Sequence, residues 1–251
     1  MNRLPQGIRL VSIHSPYDFW NIKSVQKLFC ETLSMRLAGY GSEYGEGVFP
    51  LDGADFAGAH HLVCRERGVG ELEPVMGFRS TAFSTAKRFG LPFGGLGLAR
   101  SSGDPAHAIA LQAQLDECAR SAQEISYIAS WTMSPDVRKD PALKVLLREL
   151  FMAMAVHWHQ DTESAIVGGC TMRFKVDRWF SGWGFKALQK EGVDLSPIEV
   201  PFLVGEKVRM MVLRAFTPEI LEEASPWREV WESRTILDHG QGSVIPLRKA
   251  G

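Results

Sequence analysis

Two aspartates, Asp52 and Asp55, stand three residues apart in "GVFPLDGADFAGAHHLVCRE", just before the apolar run that opens at His60. Carboxylates so placed have two uses. "PLDGAD" is strong turn chemistry, in which Asp side chains bond nearby backbone amides. The other use is to hold the ammonium of a small amine. That use gains from a neighbouring cation, and Arg79 in "VMGFRST" is the candidate. A guanidinium takes a carboxylate in a bidentate fork. Together, Asp and Arg would hold an amino acid by both charged ends.

An amine that attacks a carbonyl must be neutral, so a base within hydrogen-bond reach helps. Asp55 and Glu124, at the head of "EISYIASWTMS", are the candidates. The competing reading of Glu124 is a solvent-facing charge that flanks a strand. His60 and His61 fall on opposite faces of a regular strand. Either serves as a base or as a hydrogen-bonded structural residue, and His61 is the one placed beside substrate. His157 and His159 close a helical pattern, where the dipole favours cations, and read as structural. Cys30, Cys64, Cys118 and Cys170 form no CxxC pair, so they read as reduced thiols, three of them in apolar stretches. No His/Cys/Asp cluster has metal spacing, and no metal is expected. No Gly-x-Ser-x-Gly elbow is present to activate a serine nucleophile.

These residues need elements to position them. "IRLVSI" (8–13) alternates as a first strand, and Pro16 with Asp18 opens a helix to about Leu37. "GYGSEYGEG" reads as a loop. "HHLVCRE" (60–66) and "VMGFRST" (75–81) read as a hairpin joined by "RGVGELEP". "FGLPFGGLGLARSSGDP" reads as a long irregular segment of the kind that forms lids. Its Phe89, Leu91, Phe93, Leu96 and Leu98 either line an acyl pocket or plug the core edge. Asp104 and Pro105 are a good N-cap and N1 pair for a helix to about Ser121. "EISYIASWTMS" (124–134) is the best strand and "PALKVLLRELFMAMAVHWHQ" (141–160) the best helix. A buried strand (164–171), a short helix ending at Gly182 and Gly184, a late strand (207–216) and a helix broken at Pro226 follow. The tail after residue 236 reads as loose.

The order of elements around Glu124 to Phe185 resembles the fold of the GCN5-related N-acyltransferases. The resemblance implies a bulged central strand leading into a helix whose N-terminal amides hold the pyrophosphate of coenzyme A, a role that suits free N–H groups at a helix start. "WTMSPDVRKDPALKVLL" takes that place, with Arg138 and Lys139 adding charge. It also implies that the backbone of Trp131, Thr132, Met133 and Ser134 pairs with a pantetheine arm as an added strand and polarises the thioester oxygen. In the N-terminal half, "VFPLDGADFAGAHHLV", "VMGFRST" and "FSTAKRFGLPF" resemble the acyl-homoserine-lactone synthases and N-acyl amino acid synthases. Asp52 and Asp55 match their Asp-x-x-Asp, and Arg79 their third-strand Arg. The resemblance spans residues 8 to 216.

There are two departures. Pro141 and Leu143 stand where the pyrophosphate loop has glycines, and Asp140 brings a negative charge, which favours acyl carrier protein over coenzyme A as donor. "YIASWTMS" lacks the Glu and Arg of the lactone synthases, which disfavours a lactone synthase using S-adenosylmethionine.

The expectation is a single α/β domain over 1–236, with a mixed, mostly antiparallel sheet. Its activity would be acyl transfer from a thioester carrier to a small amine, and the alternative is a binding module that has lost catalysis. Hydrophobic content of 45% supplies a sizeable core, and a net charge of -1 argues against nucleic acid. No apolar run is long enough to span a bilayer, no signal peptide is evident, and the default location is cytoplasmic.

Overall fold

Apolar side chains at strand and helix spacing set the elements and the faces they bury. The computed structural model describes residues 2–45, 48, 51–68, 70–200, 203 and 205–237. The tail expected to be loose lies almost wholly outside these. Strands are β1 (Ile8–His14), β2 (Ala59–Gly68), β3 (Glu71–Ala82), β4 (Ile125–Met133), β5 (Ala165–Thr171), β6 (Lys186–Ala187), β7 (Gln189–Lys190), β8 (Val193–Asp194), β9 (Ile198–Glu199), β10 (Lys207–Leu213) and β11 (Thr235–Leu237). Helices are α1 (Lys23–Tyr44), α2 (Ala54–Ala57), α3 (Phe83–Arg88), α4 (Gly94–Ser101), α5 (Pro105–Arg120), α6 (Pro141–Thr162), α7 (Val176–Trp183), α8 (Pro218–Ala224) and α9 (Arg228–Glu232). The result is the expected mixed, mostly antiparallel sheet flanked by helices. The chain divides into two compact units, each discontinuous in sequence.

The first unit comprises Met1–Arg79, Ser130–Met154 and Ala224–Gly251. Strand β1 pairs antiparallel with β2, from Ile8↔Arg65 to His14↔Ala59, and parallel with β11. Val11 and Ile13 of β1 and Leu62 and Cys64 of β2 share one face and pack with Phe19, Val25 and Leu28. That is the two-residue period of strands meeting the inner stripe of α1. The stripe runs Val25, Leu28, Phe29, Thr32, Met35, Arg36, Gly39, all buried. Gly77 of β3 lets β2 approach closely, since a Cβ there would stand 2.6 Å from Leu62 Cδ2 and 2.9 Å from the His61 carbonyl.

The second unit comprises Ser80–Ala129 and Ala155–Glu223. Here β4 pairs parallel with β5 from Ile125↔Ala165 to Ile128↔Gly168, and β10 pairs antiparallel with β5, β6 and β9. Asp104 caps α5 as expected, accepting from the Ala106 N–H at 2.8 Å.

The short helix α2 and the short strands β6–β9 and β11 were not expected, and three expected segments take another form. The first helix splits into a 3-10 turn (Pro16–Phe19) and α1, because Ser15 is left-handed and Ile22 is extended. The "GYGSEYGEG" segment is helical through Tyr44. Glycine normally costs a helix about 1 kcal/mol, but at Gly39 a side chain would collide with Thr132 Oγ1 and approach Met133 O at 3.1 Å. The long segment after β3 is two helices, α3 and α4. There Gly94 lies under Tyr127, Gly95 against Leu111 and Val167, and Gly169 of β5 under Leu98. Of the two readings of this apolar segment, these contacts give close packing at Leu98.

Candidate active site

The short helix α2 and the turn before it place Asp52 and Asp55 against Arg36 of α1 and Arg79 of β3. Arg79 Nη1 donates to Asp52 Oδ1 at 2.7 Å and Nη2 reaches Asp52 Oδ2 at 3.3 Å. The same Nη1 lies 2.7 Å from Asp55 Oδ1. Arg36 Nη1 also pairs with Asp55 Oδ1. The remaining Asp55 oxygen accepts the Asp52 N–H at 2.9 Å, and Asp52 Oδ1 accepts the Ala54 N–H at 2.9 Å. The turn chemistry and the arginine pairing are therefore one arrangement.

Burial divides the four residues. Side-chain exposure is 2% for Arg36, 0% for Asp55 and 3% for Arg79, against 59% for Asp52. Burial alone would raise the Asp55 carboxyl, but Arg79 and then Arg36 hold it below the usual carboxylate range. Burial works against the Arg79 charge, and Asp55 and Asp52 outweigh it, so its pKa is raised. Asp55, placed among the catalytic candidates, thus lies in the interior with both oxygens engaged. Of the four, only Asp52 shows its charged group to solvent.

The histidines do take opposite faces of β2. The His60 ring meets Phe29 of α1 at 5.4 Å, and its Nε2 is 2.7 Å from Asp55 O. Burial lowers its pKa to about 4, Asp55 opposing only in part. The neutral ring therefore donates to that carbonyl. His61, placed beside substrate by the sequence, is 1% exposed, with Nδ1 3.1 Å from Ser12 Oγ and rings of Phe78 and Trp231 around it. Its position is in the core on the face away from Asp55.

Strand β4 carries the positions expected to meet a donor. Ser130, within it, is left-handed at φ 60. Ser130 Oγ accepts from Arg36 Nη2 at 2.8 Å. The Trp131 ring stacks on Phe151 of α6, centroids 4.5 Å apart at 10°. Thr132 Oγ1 accepts from Arg138 Nη2 at 3.2 Å, and Arg138 Nη1 pairs with Glu43. Met133 is buried. The Ser134 N–H donates to Val75 O at 2.9 Å and its hydroxyl to Asp136, which also takes Arg65 at 2.7 Å. Lys139 ends the 3-10 turn Val137–Lys139.

At the start of α6 the amides are already taken. Asp140 Oδ1 accepts from Ala142 N at 3.0 Å and Leu143 N at 3.1 Å, and Lys144 N donates to Asp140 O at 2.9 Å. Pro141 has no N–H. The pyrophosphate place implied by the resemblance is capped by the chain's own carboxylate.

Glu124 belongs to the second unit, at the opening of β4, and is not a member of the arginine cluster. Its oxygens accept from Ser84 Oγ and from the Ile125 N–H, the latter at 2.9 Å. Arg36 was missed by the sequence reading, although its signal is legible: an arginine on the apolar stripe of Val25, Phe29 and Thr32 is a buried charge that needs partners. All four cysteines are free, three of them buried. Among the described residues there is no group of three metal-ligating side chains, and no helix is long and apolar enough to cross a membrane.

No protein-family model matches the chain, and no curated protein matches it. Solved structures do. A CoA-dependent acyl-homoserine lactone synthase, BjaI, solved with SAM and isopentyl-CoA, is 14% identical over 92% of this chain and 92% of that one, at a TM-score of 0.49. FeeM, an N-acyl amino acid synthase from uncultured soil microbes, is 8% identical over 66% of this chain and 73% of that one, at 0.40. The polyamine N-acetyltransferase of Drosophila melanogaster is 14% identical over 81% of this chain and 99% of that one, at 0.43.

Proposed function

We propose that the chain is an N-acyltransferase that moves an acyl group from a thioester carrier to the amine of a small acceptor bearing a carboxylate, such as an amino acid. The observation that carries this reading is the Arg79 fork on Asp52. A buried guanidinium opens toward an exposed carboxylate through one short and one stretched bond. An acceptor carboxylate takes the Nη2 side of the fork, and Asp52 takes the ammonium. Asp55 and Arg36 hold Arg79 in aim and touch no substrate. The ammonium first gives up a proton to the solvent that reaches Asp52. The neutral amine nitrogen then attacks the thioester carbon, the C–S bond breaks, and a second amine proton leaves with the thiol. No enzyme nucleophile is needed. The pantetheine arm lies along Trp131–Met133 as an added strand.

The capped α6 amides favour acyl carrier protein over coenzyme A, because the pyrophosphate has no helix N-terminus to bind. The same capping favours a second reading, a module that binds the acceptor and does not turn it over.

The test pairs purified protein with acyl carrier protein and coenzyme A thioesters and a set of amino acids, each beside its decarboxylated amine. Product is read by mass spectrometry. The expected result is amide from the amino acid and little from the amine. Arg79→Lys should raise the acceptor KM about 10- to 100-fold, the loss of one charged fork of roughly 1.5–3 kcal/mol. Equal turnover of amino acid and amine would refute a carboxylate-reading Arg79. Binding without product selects the second reading.

A further inference from the structure

The Arg36 guanidinium spans two elements. One nitrogen donates to Asp55 at α2 and the other to Ser130 Oγ in β4. Asp55 Oδ1 is shared between Arg36 and Arg79, so a shift of one arginine is felt by the other. We propose that Arg36 is a positioning residue that couples acceptor and donor binding: an acceptor drawn into the Asp52–Arg79 fork tightens the donor's hold on β4. This rests on the N-acyltransferase reading.

Ser130 is left-handed within a strand. An L-residue other than glycine disfavours that conformation and keeps it only where its surroundings insist. The Arg36 bond to its hydroxyl is such a surrounding. The residues that follow, Trp131 to Met133, are those proposed to pair with the pantetheine arm, and their direction depends on the turn at Ser130. When an acceptor carboxylate draws on Arg79, Asp55 is left more fully to Arg36. Arg36 then holds Ser130, and the part of β4 beyond it, more firmly.

The path is stiff. Three successive turns of α1 engage β4 or the turn after it. Arg36 bonds Ser130, Gly39 leaves no room for a Cβ against Thr132 and Met133 O, and Glu43 pairs with Arg138, which also holds Thr132. Lysine cannot replace Arg36 here, because a single ammonium lacks the planar fork that reaches two partners at fixed separation. Coupling of this kind is reciprocal: donor binding must tighten acceptor binding by the same factor.

The experiment is calorimetric titration of the full chain with two probes. One is each of the twenty common amino acids in turn. The other is butyryl-pantetheine with a methylene in place of the thioester sulfur, which cannot transfer its acyl group. In the wild type, saturating amino acid should lower the Kd of the analogue at least about 5-fold, the lower end of usual coupling. Ser130→Gly keeps the left-handed backbone without strain and loses the hydroxyl. In it, each probe should still bind alone while the coupling factor falls to about 1. Arg36→Lys should lose the coupling as well, and should also weaken the amino acid alone, because Arg36 shares Asp55 with Arg79. If the wild type binds both probes without coupling, or Ser130→Gly couples as the wild type does, the proposal fails and the acyltransferase reading stands. If the wild type binds no analogue at all, the acyltransferase reading fails and takes the proposal with it.

Discussion

Each of the two units holds an arginine cluster, and they are built on opposite terms. In the first, Arg36 and Arg79 meet Asp55 with all three side chains at most 3% exposed. In the second, Arg214 reaches Gln114 Oε1 at 2.7 Å, Cys118 Sγ at 2.8 Å, Gln123 Oε1 at 3.0 Å and Glu117 Oε2 at 3.1 Å. Its partners are mostly neutral, and Arg214 and Glu117 are 34% and 55% exposed. A buried ion cluster is poor at stabilising a fold, since desolvation consumes the Coulomb gain. A half-exposed hydrogen-bond fan ties α5 to the end of β10 at little cost. The first cluster is therefore the one that needs a use beyond stability, and the second explains itself as structure.

The sharpest way to break this contrast is to remove one charge from the buried set. Asp55→Asn removes the buried carboxylate that both guanidiniums share, leaving Arg79 on the exposed Asp52 and Arg36 on the neutral Ser130 hydroxyl. The expected loss is about 3–5 kcal/mol of unfolding free energy, the usual cost of breaking a buried pair. Urea denaturation measures it. A loss under about 1 kcal/mol would mean that the arginines rehydrate freely and that the cluster is not sealed.

Acidification reads the same cluster through its neighbour. His60 stays neutral in the fold, with a pKa lowered from 6.5 to about 4. The unfolded chain binds its proton first, so this stabilisation is complete above pH 6.5 and drains away as pH falls toward 4. The limit is about 3 kcal/mol for a shift of this size. His61 is lowered as well and acts in the same direction. Below pH 4 the lowered Asp55 adds its own loss. His60→Gln keeps a donor for Asp55 O and removes the titration, so its melting temperature should fall less between pH 7 and pH 4.5. Parallel curves for both proteins would assign the acid sensitivity elsewhere.

How much of this was legible in the sequence differs by the kind of force involved. Apolar runs bounded by turn residues in 8–13, 60–66, 75–81 and 124–134 located β1 to β4, which the structure buries over continuous stretches such as Leu10–Ile13 and Val75–Thr81. The hairpin reading put Arg79 on the strand next to the aspartates, and Asp52 and Asp55 meet it there. The glycine-rich segments misled. Local chemistry says loop at Gly39 and at Gly94–Gly95, and only the approach of Thr132 and Tyr127 says helix. Arg36 went unread because the apolar stripe was drawn through Leu33 and Leu37, whereas α1 buries Thr32 and Arg36 and leaves Leu37 exposed. Glu124 was readable only as a carboxylate near a strand, and which end of β4 matters is set by the left-handed Ser130, which no spacing announces.

Helix α1 contains its own control for that lesson. Gly39→Ala drives a Cβ into Thr132 Oγ1 and should cost about 1–3 kcal/mol as overpacking, while also loosening the Arg36 bond to Ser130. Gly41, two residues on, has nothing within 4 Å of an added Cβ. Gly41→Ala should therefore stabilise by up to about 1 kcal/mol through helix propensity alone. Two substitutions of one type, two residues apart, would move the denaturation midpoint in opposite directions. The same sign for both would remove the close approach of α1 to β4 from the account.

The smallest effect belongs to the second cluster. Glu117→Gln removes the charged partner of Arg214 and keeps an oxygen for it, with Gln114, Gln123 and Cys118 still in place. Exposed pairs contribute about 0–1 kcal/mol, so the denaturation midpoint should scarcely move, and acceptor binding should not move at all. A loss approaching that of Asp55→Asn would erase the contrast between the clusters. The buried arginines would then have no special claim to function, and Arg214 with its cysteine would stand level with Arg79 as a candidate.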